Sequence, residues 1–215
     1  MSIPLLKGLH KASLKTRILH PFDEYWDRRL GISTFGYVPA VGEMNSPDLQ
    51  MHYEPTPYRA IFRIIRHLDI GPDDTVVDFG SGPGRFAFAA SWSGCRRSIG
   101  VEIDRSLHHR ALDNMRRSTT PPGRTSCECM PAQNFDPIDV SRVYLFHPFG
   151  RRTLRTVMDN LRDSLSVKPR RVRIAYNNPV YADIVDSLGI FHKTDEWQGG
   201  EPSLPYPVAF WETKH

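Results

Sequence analysis

Asp78-Phe79-Gly80-Ser81-Gly82-Pro83-Gly84-Arg85 is the stretch whose residue types and spacing are best suited to chemistry. It follows a strand-like run, Thr75-Val76-Val77, and leads into Phe86-Ala87-Phe88-Ala89-Ala90-Ser91, which reads as a helix. A strand that ends in a glycine loop and opens a helix is the ligand-binding corner of a doubly wound α/β sheet. Glycine has no Cβ, so the backbone can turn sharply there and approach a ligand closely. Glu102 closes a second strand-like run, Arg97 to Ile103. It lies about 20 residues past the loop, where a carboxylate can accept both ribose hydroxyls of a nucleoside.

The spacing separates nucleoside cofactors. Dinucleotide folds prefer G-x-G-x-x-G, whereas this loop reads G-x-G-x-G with an acid two residues before the first glycine. Asp78-x-Gly80-x-Gly82-x-Gly84 resembles motif I of the class I S-adenosylmethionine-dependent methyltransferases. The resemblance implies S-adenosyl-L-methionine as cofactor, with Asp78, Phe79, Gly80, Ser81, Gly82 and Gly84 beside its methionine part. Glu102 would hold the ribose, with Ile103 next to it. The family places an Asp after strand three to bind the adenine amine; here Pro131 stands in its place, and Gln133 or Asn134 offers a side-chain acceptor instead.

Phe146-His147-Pro148-Phe149, after the fourth predicted strand, resembles the (N/D)-P-P-(Y/F) signature of amino-group methyltransferases, and more closely an Asn-Pro-Phe variant. In such enzymes a polar side chain orients the attacking nitrogen and the aromatic ring packs over the substrate. His147 replaces the usual Asn. Imidazole titrates near neutrality, so His147 is a candidate general base, or a hydrogen-bond partner of a substrate hydroxyl; it also borders the cofactor. Phe149 is either substrate wall or core. The proline that follows His147 favours an extended backbone for it.

Upstream, Tyr53-Glu54-Pro55 together with Gly80-Ser81-Gly82 is similar to the non-SET histone-lysine methyltransferases. That likeness implies that Tyr53, Glu54 and Thr56 form a lid near the methionine end; read without it, the segment is a proline-stiffened linker. With Phe22-Asp23, Gly31-Ile32-Ser33-Thr34-x-Gly36 and Gly100-Val101-Glu102, the pattern resembles a group of bacterial class I methyltransferases.

The elements that must position these residues alternate. A helix is expected around Pro21 to Arg28, then a Gly- and Pro-rich stretch from Gly31 to Gly42. Thr56 reads as an N-cap and Pro57 as the first position of a helix to Leu68, with Ile61, Ile64 and Ile65 on one face. Strands follow at 75–79, 98–103, 125–129, 142–146 and 172–176, with helices at 84–92, 104–117, 151–165 and 181–188. Asp104 is a plausible cap for the second of these helices. Phe191 to Trp197 and Val208 to Thr213 would close the sheet as an antiparallel pair. The expected fold is α/β: a Rossmann-like, doubly wound, mostly parallel seven-stranded sheet. Residues 1–56 would be an N-terminal helical extension or lid, and 57–215 the methyltransferase domain.

Composition sets outer bounds. The chain has 215 residues, 40% hydrophobic and 24% charged, enough for one α/β domain with an extension. No apolar run approaches the roughly 20 residues that span a bilayer. Met1 to His20 is basic and acid-free but lacks the apolar block of a secretory signal, so a cytoplasmic protein is expected. Cys95, Cys127 and Cys129 form no even disulfide framework; the last two share one face of a strand and read as small buried side chains, and no metal site is expected. The net charge of +4 does not by itself indicate nucleic acid. Basic residues gather at Arg151, Arg152 and Arg155 and at Lys168, Arg170, Arg171 and Arg173, as a solvated face or as a site for an anionic partner. The acceptor stays open among small molecule, sugar, protein and RNA. Two rival readings are a non-catalytic cofactor-binding subunit and a nucleotide-dependent oxidoreductase.

Overall fold

The run Thr75–Phe79 (β1) is buried at every residue, as a strand covered on both faces must be. In the computed structural model, which describes residues 21–38 and 52–214, it is the third strand of a seven-stranded sheet. The others are β2 (Arg97–Glu102), β3 (Thr125–Cys129), β4 (Arg142–Phe146), β5 (Arg173–Asn177), β6 (Phe191–Trp197) and β7 (Val208–Thr213). Their order is β3-β2-β1-β4-β5-β7-β6. β1 pairs in parallel with β2 and β4, and the parallel pairing continues to β3 and β5. β7 runs antiparallel between β5 and β6, closing the sheet as expected. The strand order reverses between β1 and β4, and this switch point opens a crevice at the carboxyl ends of the strands. The basic start, Met1 to His20, and the latter part of the Gly- and Pro-rich stretch lie outside the described residues.

Helices cover both faces: α1 (residues 21–30), α2 (Tyr58–His67), α3 (Arg85–Trp92), α4 (Arg105–Arg117), α5 (Arg151–Val167) and α6 (Ala182–Asp186). Successive β1 side chains point to opposite faces. Val77 and Phe79 pack with Leu154, Val157, Met158 and Leu161 of α5. Val76 packs with Ile61, Ile64 and Ile65 of α2, Phe86 and Phe88 of α3, and Leu30 of α1. Leu30 and Ile32 are therefore part of the core. Both are buried, and the Thr119 backbone N–H donates to the Leu30 carbonyl at 2.9 Å. Among the described residues no helix is long and apolar enough to cross a membrane.

Two local expectations are corrected. Thr56 does not cap α2. Its hydroxyl turns inward, 2.8 Å from the Tyr144 hydroxyl, and Pro57 stands at the cap without a side-chain bond. Asp23 of α1 does the capping from a distance, accepting from the Tyr58 N–H at 3.0 Å. Asp104 does cap α4, accepting from the Leu107 N–H at 2.9 Å. The second correction concerns the cysteines. β3 is an edge strand, so Cys127 is only half-buried and Cys129 is exposed.

The basic clusters are largely engaged within the fold. Arg151 pairs with Asp183, Lys168 with Asp139, and both Arg171 and Arg173 with Glu212. Those two guanidinium groups hold the Glu212 carboxyl down at about 2.

Candidate functional site

The glycine loop is folded back over β2. The N–H groups of Gly80 and Ser81 both donate to the Val101 carbonyl, at 2.9 and 3.1 Å. Gly80 and Gly82 have φ of +72° and +54°, a region that side chains rarely adopt. Close approach adds a second requirement. A Cβ on Gly80 would lie 2.2 Å from the Pro148 Cβ, and one on Gly82 would lie 2.5 Å from the Tyr53 ring. The loop is thus held between the residue after His147 and the segment upstream of α2. Three stretches far apart in the chain meet here, as the sequence leads one to expect.

Two carboxylates stand at the base of the loop. Asp78 is fully enclosed, and burial, then the nearby Glu102, push its pKa well up, opposed by the Ala87 N–H in the first turn of α3. Glu102 is buried at the end of β2. One of its oxygens accepts from the Gly82 N–H at 2.8 Å and the other from the Asp104 N–H at 2.9 Å. Burial raises its pKa, and these backbone donors oppose the rise. Beside it Ile103 is exposed, an apolar surface at the rim of the crevice. Across that rim the short 3-10 turn Ala132–Asn134 presents Gln133 and Asn134, both exposed. The Ser81 hydroxyl is buried in the loop with no hydrogen-bond partner among the described residues. Exposed backbone at Gly80, a carboxylate oxygen at the loop, an apolar rim and an unpartnered buried hydroxyl fit a nucleoside with a polar tail, while Gly82 is buried under the Tyr53 ring.

The segment upstream of α2 is anchored through a buried ion network. The Tyr53 hydroxyl donates to the Thr34 carbonyl at 2.6 Å. Arg85, the residue directly after the loop, is 3% exposed. Its guanidinium is 2.9 Å from Asp23 and 3.7 Å from Asp27, donates to the Thr34 hydroxyl at 2.5 Å, and reaches the Thr56 carbonyl at 3.2 Å. Asp27 also accepts from the Tyr58 hydroxyl at 2.7 Å. Asn114 of α4 adds a second tie: its amide donates to the carbonyls of Ser33 and Pro83, and its oxygen accepts from the Ser33 N–H. Asp23, Ser33, Thr34 and Arg85 stand within the motifs read from the sequence, which assign them no contact, and Asp27 and Asn114 have no role there. The one available signal was the i, i+4 pair Asp23 and Asp27 on a helix, with an unmatched arginine inside the glycine motif.

The ends of β4 and β5 form the other wall. His147 is buried, with its Nδ1 3.0 Å from the Tyr176 hydroxyl and its ring 5.3 Å from that of Tyr181. Its backbone is left-handed, φ +36°, not extended as the following proline suggests. Packing of Pro148 against Gly80 forces a sharp turn at the strand end, and that tertiary contact overrides the local preference. Burial, then His52, lower the imidazole pKa, favouring the neutral ring. Phe149 is half-buried and packs on the α5 side of the core. Glu54 accepts from the Tyr206 hydroxyl at 2.9 Å, and the Tyr206 ring lies 5.1 Å from that of Phe146. Thr56, Tyr144 and Asn177 make a buried hydrogen-bonded cluster behind this wall.

Residues 50–119 match the family model described as Histone methylation protein DOT1. The chain is 34% identical over 91 residues to a histone-lysine N-methyltransferase, H3 lysine-79 specific, of Caenorhabditis elegans, a match covering 38% of this chain and 9% of that protein. It is 30% identical over 90 residues to a protein-lysine N-methyltransferase of Saccharolobus islandicus, covering 41% of this chain and 53% of that protein. The chain therefore spans about half, or much less, of the curated relatives it matches. The crystal structure of an RNA methyltransferase from Salinibacter ruber, in complex with S-adenosyl-L-homocysteine, superposes with a TM-score of 0.54 at 21% identity over 75% of this chain and 95% of that one. The chain has the class I methyltransferase fold. In an open α/β sheet ligands bind outside the carboxyl ends of the strands, near the switch point, and Gly80, Gly82, Glu102 and His147 stand at the carboxyl ends of β1, β2 and β4. The matched residues, 50–119, run from the segment upstream of α2 through the glycine loop and past the end of α4.

Proposed function

We propose that this protein is an S-adenosylmethionine-dependent methyltransferase acting on a nitrogen or oxygen nucleophile. The observation that carries the reading is the loop Gly80 to Gly84, cradled between Tyr53 and Pro148 with the Glu102 carboxylate against it. Asp78, Phe79, Gly80, Ser81, Gly82 and Gly84 would line the methionine side. Glu102 would take the ribose hydroxyls, and Ile103, Gln133 and Asn134 the adenine. Tyr53 would form the lid, with Thr56 anchoring it to Tyr144 and Asn177 at the sheet; α1, before it, packs into the same core as α2.

S-adenosylmethionine supplies a methyl group already activated on a sulfonium. The protein's part is alignment and exclusion of water. Tyr53, held by Thr34, covers the loop; His147 and Phe149 border the side from which an acceptor would enter. Both curated relatives are named lysine methyltransferases, which supports a nitrogen acceptor, though each match covers less than half of this chain. Three free cysteines suit a cytoplasmic setting.

The test is product formation. Incubation of the full chain with S-adenosylmethionine and fractionated protein, RNA and small-molecule pools should release S-adenosylhomocysteine in step with a methylated product. Tight cofactor binding without product in any pool would favour a binding subunit.

A further inference from the structure

His147 and Tyr176 are neighbours across the β4–β5 ladder, where Leu145 pairs with Tyr176 and Phe146 with Asn177. The 3.0 Å contact between His147 Nδ1 and the Tyr176 hydroxyl is buried, so the position of its single proton has consequences. The phenol's own proton needs an acceptor. Among the described residues, His147 Nδ1 is the acceptor within hydrogen-bond reach. If Nδ1 carried a hydrogen instead, the buried phenol proton would be left unpaired, which is strongly unfavourable. A neutral imidazole that accepts at Nδ1 must carry its hydrogen on Nε2.

We infer that Tyr176 is a positioning residue that fixes His147 as the Nε2–H tautomer, so that His147 meets the contents of the crevice as a hydrogen-bond donor and not as the general base. The inference rests on the methyltransferase reading for what occupies the crevice, but not for the tautomer. A donor there matches an oxygen on the ligand, whereas the Asn of the related signature can also accept from an attacking nitrogen. The departure from Asn to His thus changes the hydrogen-bond polarity at this position.

Nitrogen-15 NMR of the histidine-labelled full chain near neutral pH tests it without any substrate. The His147 signals are identified by their loss in His147→Gln. The expected result is a pyridine-like Nδ1 and a pyrrole-like Nε2. In Tyr176→Phe the same ring should relax towards a mixture of both tautomers, a change that a merely space-filling tyrosine would not produce. A pyrrole-like Nδ1 in the wild type overturns the inference, as does an unchanged tautomer in Tyr176→Phe. If that variant does not fold, the wild-type spectrum alone decides. Absence of methyl transfer in every acceptor pool would count against the methyltransferase reading and leave this result intact.

Discussion

Arg85→Met should destabilise the protein by about 3–5 kcal/mol, because it leaves two buried carboxylates without their counter-charge. Asp23 and Asp27 are 7% and 4% exposed, and Arg85 is the cation they share. For a chain of this size the loss corresponds to a fall in Tm of about 6–20 °C. Methionine keeps most of the side-chain volume, so the loss reports charge more than packing. Adding Asp23→Asn and Asp27→Asn should recover part of it, since the unpaired charges are then gone. The damage should also reach the site. Arg85 holds the Thr34 hydroxyl and the Thr56 carbonyl, and Thr34 in turn holds Tyr53 over Gly82. Thermal unfolding of the single and triple variants is the measurement. A single variant within a degree or two of the wild type would show that the network contributes nothing to stability.

Glu102→Ala should weaken S-adenosylmethionine binding by about 1–3 kcal/mol, the scale of charge-assisted hydrogen bonds. The carboxylate already accepts from Gly82 and Asp104, so its removal also frees two backbone donors at the loop and at the start of α4. The pH dependence follows from its environment. Burial raises the Glu102 pKa above 4.5, and the ionised form is the one that accepts from hydroxyls. As pH falls, protonation therefore begins above the usual carboxylate range, and affinity should decline there in the wild type but not in the Ala variant. Calorimetry from neutral to mildly acid pH checks both statements. Equal affinity of the two proteins at neutral pH would remove Glu102 from the site.

The sheet was legible because buried parallel strands leave a plain mark: short apolar, β-branched runs between turn residues, alternating with helices that keep one apolar face. Val76 and Val77, or Ile61, Ile64 and Ile65, point to their packing with no further knowledge. The cofactor loop was legible for a related reason, since its glycines answer a local steric demand. What lay hidden was long-range and polar. Asp23 and Asp27 on a helix look the same whether they face water or an arginine 62 residues away. Asn114 gives no hint that it joins Ser33 to Pro83. At His147 and Thr56, local rules for the residue before proline and for helix capping gave the wrong local answer, because the contacts with Gly80 and Tyr144 decide those conformations. Such departures gather where the crevice is built, as expected where function opposes local preference.

The central claim is that this crevice takes S-adenosylmethionine, and direct titration of the purified full chain tests it most simply. Calorimetry with S-adenosylmethionine, S-adenosylhomocysteine and NAD should show saturable, one-to-one binding of the first two and none of the third. Binding of NAD with no binding of either S-adenosyl compound would contradict the account.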